Sequence, residues 1–307
     1  MSEVKTMKKE WLSFEEQAQR LIDRKLYVED KADLVSFLQK KNYYYVSGYL
    51  FSYRCKDKDE YEDDKDPDGI LRFKKIKSIM QLDELLRVIF TYPVEIIERD
   101  FKTKLAYYSS EPDDYGDKSQ RESLPLWYID KSRFLKPETF DRFYETLNKE
   151  KSSKKSLPFV KHYCENYGGD MPIWVAVEIL TFGALFTLFK NMPVNKRRKI
   201  SNSYGCRLDQ LESWIGAMIS FRNLLAHDYR LYKHGVVRVP MQKDMFNIST
   251  HKIFDYLLVC RHLIRDKALW NEFVVGNIND FIRSYADISF GEAYGFHDNW
   301  QDYLRIK

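Results

Sequence analysis

The chain has 307 residues, of which 44% are hydrophobic and 31% charged, with a formal net charge of +4. This length allows one or two domains with a core that needs no disulfides, which excludes a small disulfide-stapled scaffold. The composition also excludes a largely disordered chain and a uniformly basic polycation of the histone kind. Any basic surface must therefore be local.

The cysteine and hydropathy patterns favour a cytoplasmic protein without a membrane span. The four cysteines lie far apart with no CxxC pair, so the sequence predicts neither a zinc site nor a set of disulfides. The first eleven residues carry charges without a following apolar segment, and we expect no secretory signal. The most apolar stretch, residues 173–189, is interrupted by polar residues and is predicted to be one core helix; a membrane-associated effector built on it is an alternative.

Sparse glycine and proline, 12 and 9 residues, favour a mostly α fold built from long helices. Ser13 followed by Glu16 has the spacing of a capping box and predicts a first helix over residues 13–25. A second helix is predicted over residues 31–41. The aromatic segment that follows it, residues 42–54, is compatible with a strand, a loop or a short helix.

An acidic segment over residues 57–68 separates these elements from the next helical pattern. Its aspartates imitate the start of a calcium loop, but Lys75 occupies the twelfth position, where a glutamate is required, so we do not predict calcium binding. A long helix is predicted over residues 73–108, with Pro93 bending or dividing it.

Helical patterns continue through the second half of the chain, over residues 136–148, 158–167, from residue 208 into the segment RNLLAH, and over 253–266 and 269–285. We predict three regions: an N-terminal helical and aromatic region over residues 1–70, a helical domain over 71–285, and an aromatic tail over 286–307 that packs back on the domain. The fold is thus expected to be a helical bundle with an N-terminal helical extension and a C-terminal helical segment.

The segment ISFRNLLAHDYRLYKHG, residues 219–235, holds the side chains best suited to chemistry. Arg222 keeps its charge and can hold phosphate oxygens, and His227 can exchange protons near neutral pH. Alone, this pair is a weak signal, because a histidine at a helix C-terminus can simply stabilise the dipole and an arginine can pack on its alkyl stem.

Seven segments in order strengthen the signal: LSFEEQAQRLIDRKL, NYYYVSGYL, LDELLR, VEIIERDFK, MPIWVAVEILTFGALFTLFKNM, RNLLAHDYRLY and YGFHDNW. Together they resemble the Abi family, the AbiD/AbiF-like abortive-infection proteins, whose fold and active site belong to the HEPN superfamily. Three positions depart from the family pattern: Tyr45 and Lys102 stand where arginine is usual, and Asp228 stands where a second histidine is frequent.

The resemblance implies an HEPN-like bundle and a metal-independent endoribonuclease that acts as a toxin or abortive-infection effector in phage defence. It assigns catalysis to Arg222, Asn223 and His227, with no cofactor and no metal. The 2′-hydroxyl of RNA would attack the phosphate and leave a 2′,3′-cyclic phosphate and a 5′-hydroxyl, whereas DNA lacks this nucleophile. By analogy, a structured noncoding RNA is a plausible inhibitor or antitoxin.

The spacing of the motif adds an inference about assembly. On a regular helix, Asn223 and His227 share a face, whereas Arg222 and His227 diverge by about 140°. Either the helix distorts near Ala226, or two chains combine their motifs across a two-fold axis. We favour the homodimer with a composite active site.

Further candidates flank the motif, and each has a duller alternative. The basic run at residues 196–199 could grip RNA backbone or keep a loop solvated, and Arg230 could hold phosphate or pair with Asp228. Glu95, Glu98 and Lys102 could form a polar face beside the site or an exposed salt-bridge stripe. The candidate RNA-binding residues are Arg230, Lys196, Arg197, Arg198, Lys199 and Lys102, and the candidate supporting residues are Glu95, Glu98 and Asp228.

A second function class stays open on the sequence alone. A non-catalytic RNA-binding or scaffold protein of the same fold could use the same basic groove. Replacing His227 with alanine separates the two hypotheses, because an enzyme would lose cleavage and keep RNA binding, whereas a pure binder would change little.

Overall fold

The computed structural model describes residues 10–113, 116–236 and 248–307. Residues 1–9, on which the expectation about a secretory signal depends, lie outside the described residues. Within the described ranges the chain forms helices and no β-strand, which confirms the mostly α prediction. The α-helices are α1 (Phe14–Asp23), α2 (Lys31–Lys40), α3 (Tyr43–Leu50), α4 (Phe73–Ser110), α5 (Lys118–Ser123), α6 (Phe140–Ser153), α7 (Pro158–Asn166), α8 (Ile173–Ile179), α9 (Phe182–Asn191), α10 (Val194–Ser203), α11 (Leu208–Ala226), α12 (Ile253–Leu263), α13 (Gly276–Ser284), α14 (Phe290–Tyr294) and α15 (Trp300–Leu304).

Local capping explains where the first helices begin. The Glu16 carboxylate accepts from the Ser13 N–H at 2.7 Å, and the Glu16 N–H donates to the Ser13 hydroxyl at 3.3 Å, so the predicted capping box is confirmed. The aromatic segment that the sequence left open forms α3. Its N-cap is Asn42, whose side chain accepts from the Tyr44 N–H at 2.8 Å.

Helix α4 passes through Pro93 without a break, so the proline does not divide it. A proline in a helix interior removes one backbone hydrogen bond and crowds the preceding turn. Here the residues on both sides, Phe90, Val94 and Ile97, are buried. Their burial offers a physical reason for the continuity of the helix.

The predicted single helix over residues 173–189 is wrong, because the structure divides it into α8 and α9. Leu180 has an extended backbone, with ψ at 143°, and ends α8. The Thr181 hydroxyl then caps α9 by accepting from the Ala184 N–H at 3.3 Å. The apolar residues on both sides of the break are buried, so the apolar pattern of the sequence continues across the break between the two helices.

The acidic segment is held by cations from the start of α4 and from the residue before it. Arg72 forms ion pairs with Asp66 and Asp68, and it lowers the pKa of Asp68 to about 2. Lys75, which replaces the glutamate of a calcium loop, pairs with the buried carboxylate of Asp63. These acids therefore have partners within the protein.

The contacts divide the chain into two units. Unit 1 contains the chain up to Leu86, Arg230–Tyr232 and Phe281–Ser289; unit 2 contains Arg87–Tyr229, Lys233–Asp280 and Phe290–Lys307. Unit 2 has buried aromatic residues from several helices, among them Phe101, Phe189 and Trp214. The division into regions 1–70, 71–285 and 286–307 stays a prediction.

The residues after α12 lead into the C-terminal tail. A π-helix over Leu269–Val275 precedes α13. The Trp270 indole N–H donates to the Leu304 carbonyl at 2.6 Å, and Phe254 contacts Phe296 with 5.1 Å between ring centroids. In the described part of the chain, no helix has both the length and the apolar character needed to cross a membrane.

Candidate functional site

Helix α11 presents the predicted motif because its opposite face is buried in unit 2. Phe221 is fully buried and packs against Phe90 of α4 at 5.9 Å and Tyr256 of α12 at 4.6 Å, measured between ring centroids. The next two residues, Arg222 and Asn223, are turned by the helical period away from this core and are exposed. The burial of Phe221 thus fixes which way Arg222 projects.

The helix ends in a Schellman motif that surrounds His227. The Tyr229 N–H donates to the Leu224 carbonyl at 3.1 Å, and the Asp228 N–H donates to the Leu225 carbonyl at 3.4 Å. His227 is the C-cap residue, and Asp228 adopts the left-handed conformation with φ at 54°. Aspartate tolerates this conformation better than most residues with a Cβ atom, so the sequence can end the helix here without glycine.

Arg87 of α4 holds this helix end through its guanidinium. It donates to the carbonyls of Leu224 and Leu225, both at 2.9 Å, and to the Tyr229 carbonyl at 2.7 Å. Its Nε atom also lies 3.0 Å from a carboxylate oxygen of Asp228. A cation at a helix C-terminus is favoured by the helix dipole, and this one gives the Leu224 and Leu225 carbonyls a second donor beside the N–H groups of the Schellman motif.

A groove of about 480 Å³ lies between α4 and α11. Its charged lining consists of Glu95, Glu98, Arg99, Lys102 and Arg222. The Glu98 carboxylate stands between two of the cations, 3.7 Å from the Lys102 ammonium and 4.0 Å from the Arg222 guanidinium. The side chain of Arg222 is still 48% exposed, so it can reach a ligand in the groove. The structure thus brings together Glu95, Glu98, Lys102 and Arg222, four of the residues selected from the sequence.

His227 occupies a different position from Arg222. It is exposed at the end of α11, and its ring lies 5.8 Å from that of Tyr229, between centroids. It is not among the described residues that line the groove. Helix α11 stays helical to Ala226 and ends there, so His227 follows as the C-cap at the place where the sequence allowed a distortion.

The basic run at residues 196–199 is part of α10, not of a loop. Lys196 is buried, and its ammonium group donates to the Glu111 carbonyl and lies 3.9 Å from the Asp113 carboxylate. Burial lowers the pKa of Lys196, and the two acidic residues partly oppose this change. The position of Lys196 favours a structural role over contact with RNA.

The other members of the run differ in exposure. Arg197 pairs with Glu212 at 2.6 Å, and Lys199 pairs with the Glu111 carboxylate at 2.7 Å. Arg198 is exposed on α10. Of the four cations, Arg198 and Lys199 are the exposed ones.

Residues Arg230–Tyr232, in the second half of the motif, belong to unit 1. Asp83 of α4 is buried and accepts from the Tyr49 hydroxyl at 2.8 Å and from the N–H groups of Leu231 and Tyr232 at 2.8 and 3.0 Å. Burial, followed by the Asp83 charge, raises the pKa of Tyr49. The hydroxyl therefore stays protonated and keeps donating to Asp83.

Arg230 has a backbone partner within its own unit. Its guanidinium donates to the Gly48 carbonyl in unit 1, whereas the ion pair of Asp228 is with Arg87 in unit 2. Both roles considered for Arg230 from the sequence stay predictions.

In the ranges that the structure describes, no three His, Cys, Asp or Glu side chains form a group that could hold a metal ion. A family model described as Abi-like protein matches residues 36–233, more than half of the chain. The chain belongs to the Abi-like family. Comparisons with curated proteins and with solved structures gave no significant match.

The Abi-like match begins within α2 and includes both Asp83 and Arg87, to which the sequence analysis gave no role. A signal for them exists in LDELLR, because two charged residues four positions apart interrupt a strongly apolar helical stripe. Charges on such a stripe are placed to meet buried polar partners. Arg99 and Tyr229 were missed as well, since neither departs from ordinary surface composition.

Proposed function

We propose that this Abi-like protein is a metal-independent endoribonuclease of the HEPN type, with Arg222 and His227 as its principal catalytic residues. The observation that carries the proposal is the exposure of both side chains at the end of one rigidly held helix, with Arg222 lining a groove. Membership of the Abi-like family supports a role in abortive infection, that is, phage defence.

The proposed chemistry uses the side chains that the helix end displays. His227 would take the proton from a ribose 2′-hydroxyl or deliver one to the departing 5′-oxygen. Arg222 would hold the phosphate as negative charge builds in the transition state, and the exposed amide of Asn223 would orient it. The bond from phosphorus to the 2′-oxygen forms while the bond to the 5′-oxygen breaks, which gives a 2′,3′-cyclic phosphate and a 5′-hydroxyl.

A second chain would complete the site in this proposal. Arg222 lies on α11, whereas His227 is the C-cap residue after its last turn and lies outside the groove lining. A homodimer could place the Arg222 of one copy beside the His227 of its partner. Mixing the inactive Arg222→Ala and His227→Ala variants should then restore up to about a quarter of wild-type cleavage, because half of the chains form mixed dimers with one intact site.

Cleavage of single-stranded RNA and of DNA of the same sequence tests the activity. We expect the wild type to cut only RNA and to leave cyclic phosphate ends. His227→Ala should slow cleavage by about 10²- to 10⁴-fold, the usual contribution of one general acid or base. The control is His162→Ala, which removes another exposed histidine of unit 2. Equal activity of the His227 and His162 variants would refute the assignment.

The alternative is a non-catalytic RNA-binding or scaffold protein. The separation of His227 from the groove lining favours it if the protein is a monomer. In that case the wild type would bind RNA without cutting it, and the mixed variants would gain no activity. Sequencing the RNA that copurifies from the native host would test whether a structured noncoding RNA restrains the protein.

A further inference from the structure

Tyr229 is 60% exposed, although its backbone is fixed at both polar groups. Its N–H donates to the Leu224 carbonyl at 3.1 Å, and its carbonyl accepts from the Arg87 guanidinium at 2.7 Å. Aromatic side chains gain much free energy from burial. Here the constrained backbone instead keeps the ring in solvent, where a ligand can reach it.

The surroundings of the ring match those of a site for unpaired nucleic acid. The ring centroid of Tyr229 lies 5.8 Å from that of His227, and the two planes are inclined by 43°. In the proposed homodimer, the exposed Arg222 of one copy would offer a positive charge for phosphate beside the His227 of the other. Proteins that bind single strands combine cations that follow the backbone with aromatic rings on which bases stack.

We propose that Tyr229 is a stacking platform for an unpaired base next to the phosphate on which His227 acts, so that the protein selects single-stranded RNA. This inference rests on the proposed function. In a duplex the bases already stack on one another, and their faces are not available to a protein ring. Stacking requires the face of the Tyr229 ring and does not require its hydroxyl.

Arg87 gives the platform its rigidity. Its guanidinium donates to the carbonyls of Leu224, Leu225 and Tyr229 at once. A residue whose backbone is already fixed loses less conformational entropy when a base stacks on its ring. The platform is therefore prepared before the RNA arrives.

Binding of a short 2′-fluoro oligonucleotide without self-complementarity tests the inference on the full-length protein. The fluorine replaces the nucleophile, so the strand binds but cannot be cleaved. A matching strand without bases carries the same phosphates. Tyr229→Ala should weaken binding of the base-bearing strand about 5- to 150-fold, the effect of losing one stacked base. Binding of the strand without bases should change less than about twofold, because phosphate contacts do not depend on the ring.

Two variants serve as controls. Tyr229→Phe keeps the ring and should bind both strands like the wild type. Tyr167→Ala removes a tyrosine of similar exposure, 58%, from the same unit and should not distinguish the two strands.

Several outcomes would overturn the inference. Equal weakening of both strands by Tyr229→Ala would mean that the ring supports the backbone contacts or the fold. A shift in the monomer–dimer equilibrium without base dependence would assign the ring to a contact between copies. Either result leaves the nuclease proposal intact if the wild type still cleaves RNA. If neither strand binds, the inference fails, and the cleavage assay decides separately whether the proposed function fails with it.

Discussion

Helix α10 and the C-terminal end of α11 both carry charged residues that the sequence favours for RNA, but the residues differ in burial: Lys196 is buried, whereas Arg222, beside Glu98, is still 48% exposed. Lys196, Arg197 and Lys199 of α10 pair with acidic residues of their own unit. At the end of α11, Arg222 and His227 stay exposed while the backbone around them is held.

Adjacent charges in a sequence therefore do not identify a binding surface. Four consecutive cations necessarily point around a helix, and some of them meet the rest of the fold. A single guanidinium placed by a buried neighbour, as Arg222 is by Phe221, is better directed toward a ligand. What holds a charged residue matters more than how many charges surround it.

The strongest test of this comparison removes the residue that holds the end of α11. Arg87→Ala leaves three carbonyls and the Asp228 carboxylate without this partner, and we expect the unfolding free energy to fall by about 3 kcal/mol. The unfolding free energy of Arg87→Lys should lie between those of the wild type and Arg87→Ala, because an ammonium group cannot form the same forked contacts. Urea unfolding measures both variants. Arg99→Ala, an exposed change on the same helix, should stay within about 0.5 kcal/mol of the wild type.

The next test compares two neighbours on α10. Lys196→Ala removes the donor to the Glu111 carbonyl and should lower the unfolding free energy by about 2 kcal/mol, without changing the RNA affinity of the folded protein. Arg198→Ala should change stability by less than about 0.5 kcal/mol. If α10 does bind phosphate, the Arg198 variant should show weaker RNA binding and a smaller salt dependence. RNA affinity lost only in the Lys196 variant would reverse the comparison.

A smaller effect is expected from the left-handed residue after His227. Asp228→Asn and Asp228→Ala both remove the charge that faces Arg87, but only alanine also loses the tolerance for positive φ. The alanine variant should therefore be less stable than the asparagine variant by about 1 kcal/mol. Thermal unfolding under identical conditions compares the two. Equal stability would mean that the backbone conformation at residue 228 carries no strain.

The smallest effect concerns pH. Burial lowers the pKa of Lys196 in the folded state below its ordinary value of 10.5. At a pH between the pKa of Lys196 in the folded chain and its pKa in the unfolded chain, the unfolded chain binds a proton that the folded chain has released. The contribution of this group to the unfolding free energy therefore rises with pH. The unfolding free energy of the wild type should thus increase relative to that of Lys196→Met as the pH approaches 10.5 from below. A difference that is constant with pH would contradict the shifted pKa.

The sequence predicts the helices best where their ends have their own chemistry. Ser13 and Glu16 define the start of α1 because both members of the capping box are local. The break between α8 and α9 could not be predicted, since the apolar pattern continues through Leu180 and Thr181. A threonine inside an apolar run is compatible with a helix interior and with an N-cap, and tertiary packing decides between them.

The candidate site follows the same rule. The outward direction of Arg222 follows from the helical period and the apolar residues around it, which are all within one helix. The role of Arg87 could not be inferred, because its carbonyl partner Leu224 lies 137 residues further along the chain. The burial of Lys196 also depends on residues distant in sequence, Glu111 and Asp113.

The contacts of the Arg87 guanidinium with the end of α11 affect how this helix end moves. Terminal turns of helices ordinarily fray, since their last carbonyls bond only to water. Here fraying would require the Arg87 side chain of α4 to break its hydrogen bonds to three carbonyls at once. Opening of the turn that carries the imidazole is therefore a cooperative event of two helices, and amide hydrogen exchange at Tyr229 should be slow for a residue so close to the surface.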